Sequence, residues 1–362
     1  MPDTISFARG APSLDIIDID GLKKSADEAF SENAAGATGY GQASGYGPLR
    51  SWIAKQHGVD EDQVIVTNGS MQADAFLFDA LVSAGDQVVV ERPTYDRTLL
   101  GLLERGADVK MIELEADGID TAELRAELEA GLRPRFAHII PNFQNPAGYT
   151  LSREKRGELL ALAAEYGFLI FEDDPYIEIR FSGERLPTML SLDGPSGGHV
   201  VYASSFSKTV CPGIRVGYLV GPRELIKQIT SFATNTYIAP NMVAQAIVHR
   251  FCESGRIDES VKTVSAALEK RVAALTAALD EHLPEAKYNA PQGGYFMWVE
   301  LPEGTDVAAL ETAAAERGVV FVKGEDFVIE GATNQLRLAY SGVTPEEISE
   351  GIKRLADAYR SL

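Results

Sequence analysis

The chain has 362 residues, 45% of them hydrophobic and 24% charged, a composition that suits a folded globule and a length that exceeds a single core. Its formal charge is −20, from 53 acidic against 33 basic residues, so most of its surface should repel nucleic acid and anionic membrane. Only Cys211 and Cys252 are present, with no CxxC and no Cys/His cluster, which argues against a disulfide framework or a zinc centre.

No apolar run approaches the roughly 20 residues that span a bilayer. The start, Met1-Pro2-Asp3-Thr4-Ile5-Ser6, carries neither a basic nor an apolar signal region, so a cytoplasmic location is expected. From position 64 onward, short apolar runs alternate with helical periodicity. Strands are predicted at 64–67, 87–90, 136–140, 168–171, 199–202 and 216–220. Helices are predicted at 71–83, 95–104 and 152–166. Such alternation predicts an α/β fold, with a mostly parallel sheet covered by helices on both faces. Past 251 the pattern changes. A charged amphipathic stretch at 256–282 reads as a connecting helix; short strands at 295–301 and 336–340 and a helix at 345–359 follow, as in a smaller α+β domain. The predicted division is an N-terminal segment over 1–38, a large domain over 39–250 and a small domain over 251–362.

Ligands of open parallel sheets sit beyond the carboxyl ends of the strands. The chemistry-bearing residues fall there. Lys208 lies in Ser204-Ser205-Phe206-Ser207-Lys208, with Arg215 seven residues on. A lysine amine condenses with a carbonyl when part of it is unprotonated and its target is held close. Ser205 and Arg215 supply hydrogen-bond donors and a fixed charge that suit a phosphate. A lone lysine would read as a surface residue; this constellation reads as a site for a phosphate-bearing aldehyde, pyridoxal phosphate. Asn68-Gly69-Ser70-Met71-Gln72 follows a strand and opens a helix, which is either a plain helix cap or an anion site. Asn145-Pro146 is a turn in any reading.

The Lys208 run resembles the cofactor-lysine motif of the fold-type I pyridoxal-phosphate enzymes, aminotransferase class I/II, and the likeness extends over nearly the whole chain. Asn145-Pro146-Ala147-Gly148 is similar to that family's Asn-Pro-x-Gly turn, and Asp173-Asp174-Pro175-Tyr176 to its Asp-x-x-Tyr element. Gly45-Tyr46-Gly47-Pro48-Leu49-Arg50, Phe143-Gln144-Asn145-Pro146 and Pro291 to Trp298 look like the 2-aminoadipate/kynurenine aminotransferase branch.

The resemblance implies a large domain with a mostly parallel sheet of the seven-stranded type, an N-terminal segment that packs with the small domain, and a set of roles. Lys208 would be the Schiff-base lysine and proton shuttle. Gly69, Ser70, the Met71 backbone N–H, Ser205 and Arg215 would hold the phosphate. Asp173 would face the pyridine nitrogen; Tyr176 and Asn145 would bond the phenolic oxygen. Tyr95 would stack on the ring, though a lone tyrosine also reads as half-buried packing. Tyr40 would reach the phosphate from a neighbouring subunit, which makes a homodimer with shared sites the expected assembly. Arg337 would clamp the substrate α-carboxylate, and Gly10 would approach it.

Two segments depart from the branch. The chain starts almost directly at Ile5-Ser6-Phe7-Ala8-Arg9-Gly10, where an N-terminal extension is usual, and Arg9 either binds a side-chain carboxylate or faces solvent. Val322-Lys323-Gly324-Glu325-Asp326-Phe327 lacks the usual proline and glycine pair. The expected activity is amino transfer from an L-amino acid to a 2-oxo acid, with 2-oxoglutarate the usual acceptor, by a ping-pong mechanism. The alternative is another reaction on the same scaffold, by a β-lyase, decarboxylase, cyclase or oxidase. The effector domain of a transcription regulator is not expected, because the chain shows no helix-turn-helix segment and no basic face.

Overall fold

The computed structural model describes residues 3–194 and 198–362; Met1 and Pro2 of the predicted N-terminal segment lie outside them. Its main sheet has eight strands in the spatial order Val64–Thr67, Gly217–Val220, Val200–Ser205, Leu169–Asp173, Phe136–Ile139, Gln87–Arg92, Asp108–Glu115, Gly118–Ile119. The run from Val200–Ser205 to Asp108–Glu115 is parallel throughout, whereas Gly217–Val220 opposes both its neighbours. Seven of these strands form the type of sheet expected. The eighth, Gly118–Ile119, is a two-residue return against the edge strand.

Strand period sorts the apolar residues onto two faces. Val88, Val90, Phe136 and Phe171 pack beneath the helices Ser70–Leu81 and Arg223–Tyr237, while Val89, Ala137, Ile139 and Ile170 meet Thr121–Glu129 and Arg153–Tyr166 on the other side. A sheet buried on both faces is why these strands read as unbroken apolar runs. Helix starts follow the local chemistry: Ser152 caps Arg153–Tyr166 through its side chain, and Gly167 ends that helix in the left-handed region.

A second, four-stranded antiparallel sheet runs Lys287–Tyr288, Phe296–Glu300, Gln335–Ala339, Val322–Lys323. The long helix Arg256–His282 and the helix Pro345–Tyr359 cover it, around Phe7, Leu268, Leu275, Leu336, Tyr340 and Ile352. The chain start joins this body, with Ile5–Ser6 paired in parallel to Val319–Val320. The helix Ile19–Thr38 of the same predicted segment instead packs elsewhere, with Ala29 and Ala37 in the cluster of Tyr46, Ala246 and Phe251. Among the described residues no helix is long and apolar enough to cross a membrane.

This topology decides where loops gather. The parallel strands deliver 68–70, 93–95, 140–145, 174–176 and 206–208 at one edge of the sheet. Because Gly217–Val220 runs the other way, its beginning brings Arg215 to the same edge.

Candidate active site

Lys208 is at the centre. Its Nζ donates to the Gly10 carbonyl at 2.8 Å and lies 5.2 Å from the Tyr295 ring centroid and 5.7 Å from that of Tyr176. Burial, reinforced by the positive charges of Arg337 and Arg215, lowers its pKa from the ordinary 10.5 to about 8, against the opposing pull of Asp173. A lysine held there keeps a usable fraction of neutral amine near neutral pH.

Asp173 ends the strand Leu169–Asp173 rather than following it. Alternation gives the consecutive acids different surroundings. Asp173 shares the face of Phe171 and meets His138, whose Nε2 is 3.4 Å from Oδ2. Glu172 turns to the opposite face, where it accepts from the N–H groups of Met189 and Leu190 at 2.7 and 2.9 Å and sits 3.8 Å from the Arg156 guanidinium. Asp174 accepts from Asn142 Nδ2 at 2.8 Å, and burial holds its pKa well above the usual range. Asp173 Oδ1 has no hydrogen-bond partner among the described residues, so a buried oxygen is left able to accept from a bound donor.

The phosphate-type cradle is assembled from three loops. Gly69, at φ +89°, precedes the helix Ser70–Leu81, whose first N–H groups point outward. A Cβ on Gly69 would lie 2.2 Å from an Arg215 terminal nitrogen, and one on Gly217 would lie 2.4 Å from the Ser70 amide nitrogen. Both glycines therefore permit a close approach that no larger residue allows. Arg215 is itself left-handed, at φ +51°, and its Nη1 donates to Ser207 Oγ at 3.2 Å. Ser205 Oγ accepts from the Ser207 amide at 3.1 Å. Gly69→Ala is expected to weaken binding of a phosphorylated cofactor by at least about tenfold while leaving the fold intact, as read by equilibrium dialysis of the apoprotein; unchanged affinity would place the phosphate elsewhere.

Arg337, in the strand Gln335–Ala339, lies between two aromatic rings, with Cζ 4.4 Å from the Phe296 centroid and 4.8 Å from that of Phe327. Nη1 donates to Asn145 Oδ1 at 2.9 Å and Nη2 to the Ala8 carbonyl at 2.6 Å. Asn145 is thus joined to the second sheet. Gly10 lies flat on Phe296, since a Cβ there would sit 2.2 Å from the ring. Tyr95 caps the helix Asp96–Glu104, and burial raises its hydroxyl to about 12. Tyr176 is buried, and burial holds its hydroxyl well above 10. Arg9 is exposed but close enough for its charge to act on Lys208.

Tyr40 stands apart, 93% exposed on the loop before the helix Gly47–His57. The Met71 side chain is also exposed, at 48%, consistent with a role through its backbone only. Three further residues belong to the site. Ser207 carries the Arg215 contact. His138 backs Asp173. Asp74, one turn into Ser70–Leu81, is buried, and burial with the facing charge of Asp173 raises its pKa well above the usual carboxylate range. Ser207 stood in the predicted motif run, and period two from Phe136 would have aimed His138 at Asp173; nothing in the sequence marks Asp74.

An amine, an unpartnered carboxylate oxygen, an anion cradle and an anchored arginine fit a phosphorylated pyridine aldehyde and an amino acid carboxylate. The pattern of the family described as aminotransferase class I and II matches residues 2–355. The aromatic-amino-acid aminotransferase 1 of Thermococcus litoralis is 32% identical over 99% of this chain and 88% of its own length. The 2-aminoadipate transaminase of Thermus thermophilus is 32% identical over 100% of this chain and 91% of its own, in line with the branch read from the sequence. The crystal structure of the Thermus thermophilus alpha-aminoadipate aminotransferase, complexed with N-(5'-phosphopyridoxyl)-L-leucine, superposes with a TM-score of 0.94 at 32% identity, covering 99% of this chain and 92% of that one.

Proposed function

The chain belongs to the aminotransferase class I and II family and is a pyridoxal-phosphate-dependent aminotransferase, and on that premise we propose how its residues divide the work. When bound, the cofactor supplies an aldehyde that condenses with amines and a ring that takes up an electron pair from the substrate α-carbon. The Gly69–Ser70 helix start, Arg215, Ser205 and Ser207 hold the phosphate. Asp173, backed by His138, places a negative charge at the ring nitrogen and keeps its proton there. Tyr176 and Asn145 donate to the phenolic oxygen, and Tyr95 covers the ring. Arg337 holds the α-carboxylate, which orients the α-hydrogen toward Lys208 Nζ. Lys208 Nζ would take that proton as general base and give it back as general acid later in the transfer.

The observation that carries this reading is the buried Lys208 amine, brought down to about 8 among Arg337, Arg215 and Asp173. The reaction alternates between an amino donor and a 2-oxo acceptor, with 2-oxoglutarate the proposed acceptor. A holoenzyme given L-amino acids but no oxo acid is expected to release one equivalent of 2-oxo acid per site and then stop. Continuous turnover, or release of ammonia or carbon dioxide, would replace transamination with lyase, decarboxylase or oxidase chemistry.

The working unit is a homodimer in the cytoplasm, built from the N-terminal segment, large domain and small domain divided near 38 and 250. Tyr40 has no place in its own site. Its loop adjoins Met242 at Gly41, and Asn241 in turn donates to Asn68 beside the phosphate cradle. Exposed Met71, Ile238 and Val243 lie on these neighbouring segments, an apolar surface suited to a second copy.

A further inference from the structure

Tyr95 and Asn145 stand on different loops, after the strands Gln87–Arg92 and Phe136–Ile139, yet the proposed site needs them on one cofactor. Between the loops lies a buried amide. Gln144 Nε2 donates to the Pro93 carbonyl at 2.8 Å and to Glu91 Oε2 at 3.1 Å, while its Oε1 accepts from the Ala147 amide at 2.7 Å. The same Glu91 oxygen accepts from the Ile140 amide at 3.1 Å. The Gln144 backbone closes the Asn145 turn, donating to the Tyr149 carbonyl at 2.8 Å and accepting from the Gly148 amide at 2.6 Å. Both side chains are 1% exposed. The amide nitrogen thus ties the turn to the Pro93 loop and to the Glu91 strand end, while the amide oxygen holds the turn itself.

We propose that Gln144, anchored on Glu91, is a positioning residue that sets the spacing between Tyr95 and Asn145 and so the seat of the cofactor ring. The inference rests on the roles given above to those two residues. Burial brings Glu91 up to about 8, with the Ile140 and Gln144 bonds pulling the other way and the charge of Asp173 adding to the rise. The anchor thus holds its proton more readily than a free carboxyl does, and its Oε2 accepts from both N–H groups. Buried amides with every hydrogen bond made can instead serve stability alone, and the test must separate the two.

Gln144→Glu keeps the shape but loses the donors to Pro93 and Glu91. The apoprotein of this variant is expected to bind pyridoxal phosphate at least about tenfold more weakly, with kcat falling by roughly 10²-fold, the penalty for misplacing a reacting group by about 1 Å, and with KM for the amino acid changing far less. The pH midpoint of the visible absorbance of bound cofactor should shift as well. Glu91→Gln/Gln144→Glu should lose little more affinity than Gln144→Glu alone, because the two side chains act through one contact. Should Gln144→Glu not fold, Gln144→Asn, one methylene too short to span both loops, should give the same pattern. Parent-like affinity and titration in either single variant, or strictly additive losses in the double variant, would overturn the proposal. Asn145→Ala, run alongside, isolates the premise: a shifted titration there with silent Gln144 variants defeats this inference alone, whereas a silent Asn145→Ala defeats the site assignment beneath it.

Discussion

Lys208→Ala is expected to eliminate amino transfer and the visible absorbance of lysine-bound cofactor, while the protein still folds and still binds the phosphate. Loss of the proton shuttle alone costs roughly 10²- to 10⁴-fold, and loss of covalent attachment adds to it. Lys208→Arg separates charge from chemistry, since arginine keeps the positive charge but neither condenses nor gives up its proton. It should be as inactive as the alanine variant. The electrostatics make a second demand. With a pKa of about 8, half of the Lys208 side chains are neutral at pH 8; an ordinary lysine offers roughly 0.3%. Capture of pyridoxal phosphate by the apoprotein should therefore rise through pH 8 and level off. A profile that climbs only toward 10.5 would show that burial and the two arginines do not act on this amine, and residual absorbance in Lys208→Ala would end its assignment.

The parts legible beforehand were those where one physical signal dominated. Buried strands such as Gln87–Arg92 and Leu169–Asp173 are apolar because both sheet faces are covered; Asp173 is the last residue of its own strand, and the loops after the parallel strands hold Tyr95, Asn145 and Lys208 as the topology requires. The edge strand Asp108–Glu115 was not read, because it alternates charged and apolar residues and is only half-buried. The helix Ile19–Thr38 was not read either: its many alanines and small polar residues give a weak stripe, and a non-helical Asn33 interrupts it. Direction was harder than existence. Gly217–Val220 reads as one more apolar strand, and only its pairing shows that it runs backward and so delivers Arg215.

Site residues divide the same way. Residues in short contiguous motifs were named, because a loop keeps them together. Asp74, His138 and the Glu91–Gln144 pair belong to elements remote from one another in sequence, and register and helix phase alone bring them near Asp173. A buried acid on a helix face carries no local mark of its partner. Tyr40 is the converse case: the resemblance named it, and it stands 93% exposed, outside the site its own chain assembles.

Arg337 combines two effects that a pair of substitutions can pull apart. Its fork is held by Asn145 Oδ1 and the Ala8 carbonyl and packed between Phe296 and Phe327, so a carboxylate meets it already oriented. Arg337→Lys retains the charge and loses the fork. With charge-assisted bonds contributing about 1.5–3 kcal/mol each, kcat/KM should fall by at least roughly 10²-fold, most of it in KM for the amino acid. Arg337→Gln loses the charge as well, and a further consequence follows at Lys208. After burial, the Arg337 charge is the largest influence lowering that lysine, so its removal must raise the Lys208 pKa above about 8. The pH at which the apoprotein begins to capture pyridoxal phosphate should then move upward in Arg337→Gln and stay near its original position in Arg337→Lys. A large KM effect with equal midpoints in the two variants would mean that Arg337 binds substrate but leaves the lysine to burial. Unequal midpoints without a KM effect would mean that its charge tunes Lys208 while the carboxylate is bound elsewhere, with Arg9, whose charge also acts on Lys208, the next residue to test. Only both changes together make Arg337 the group that holds the substrate and keeps the amine ready for it.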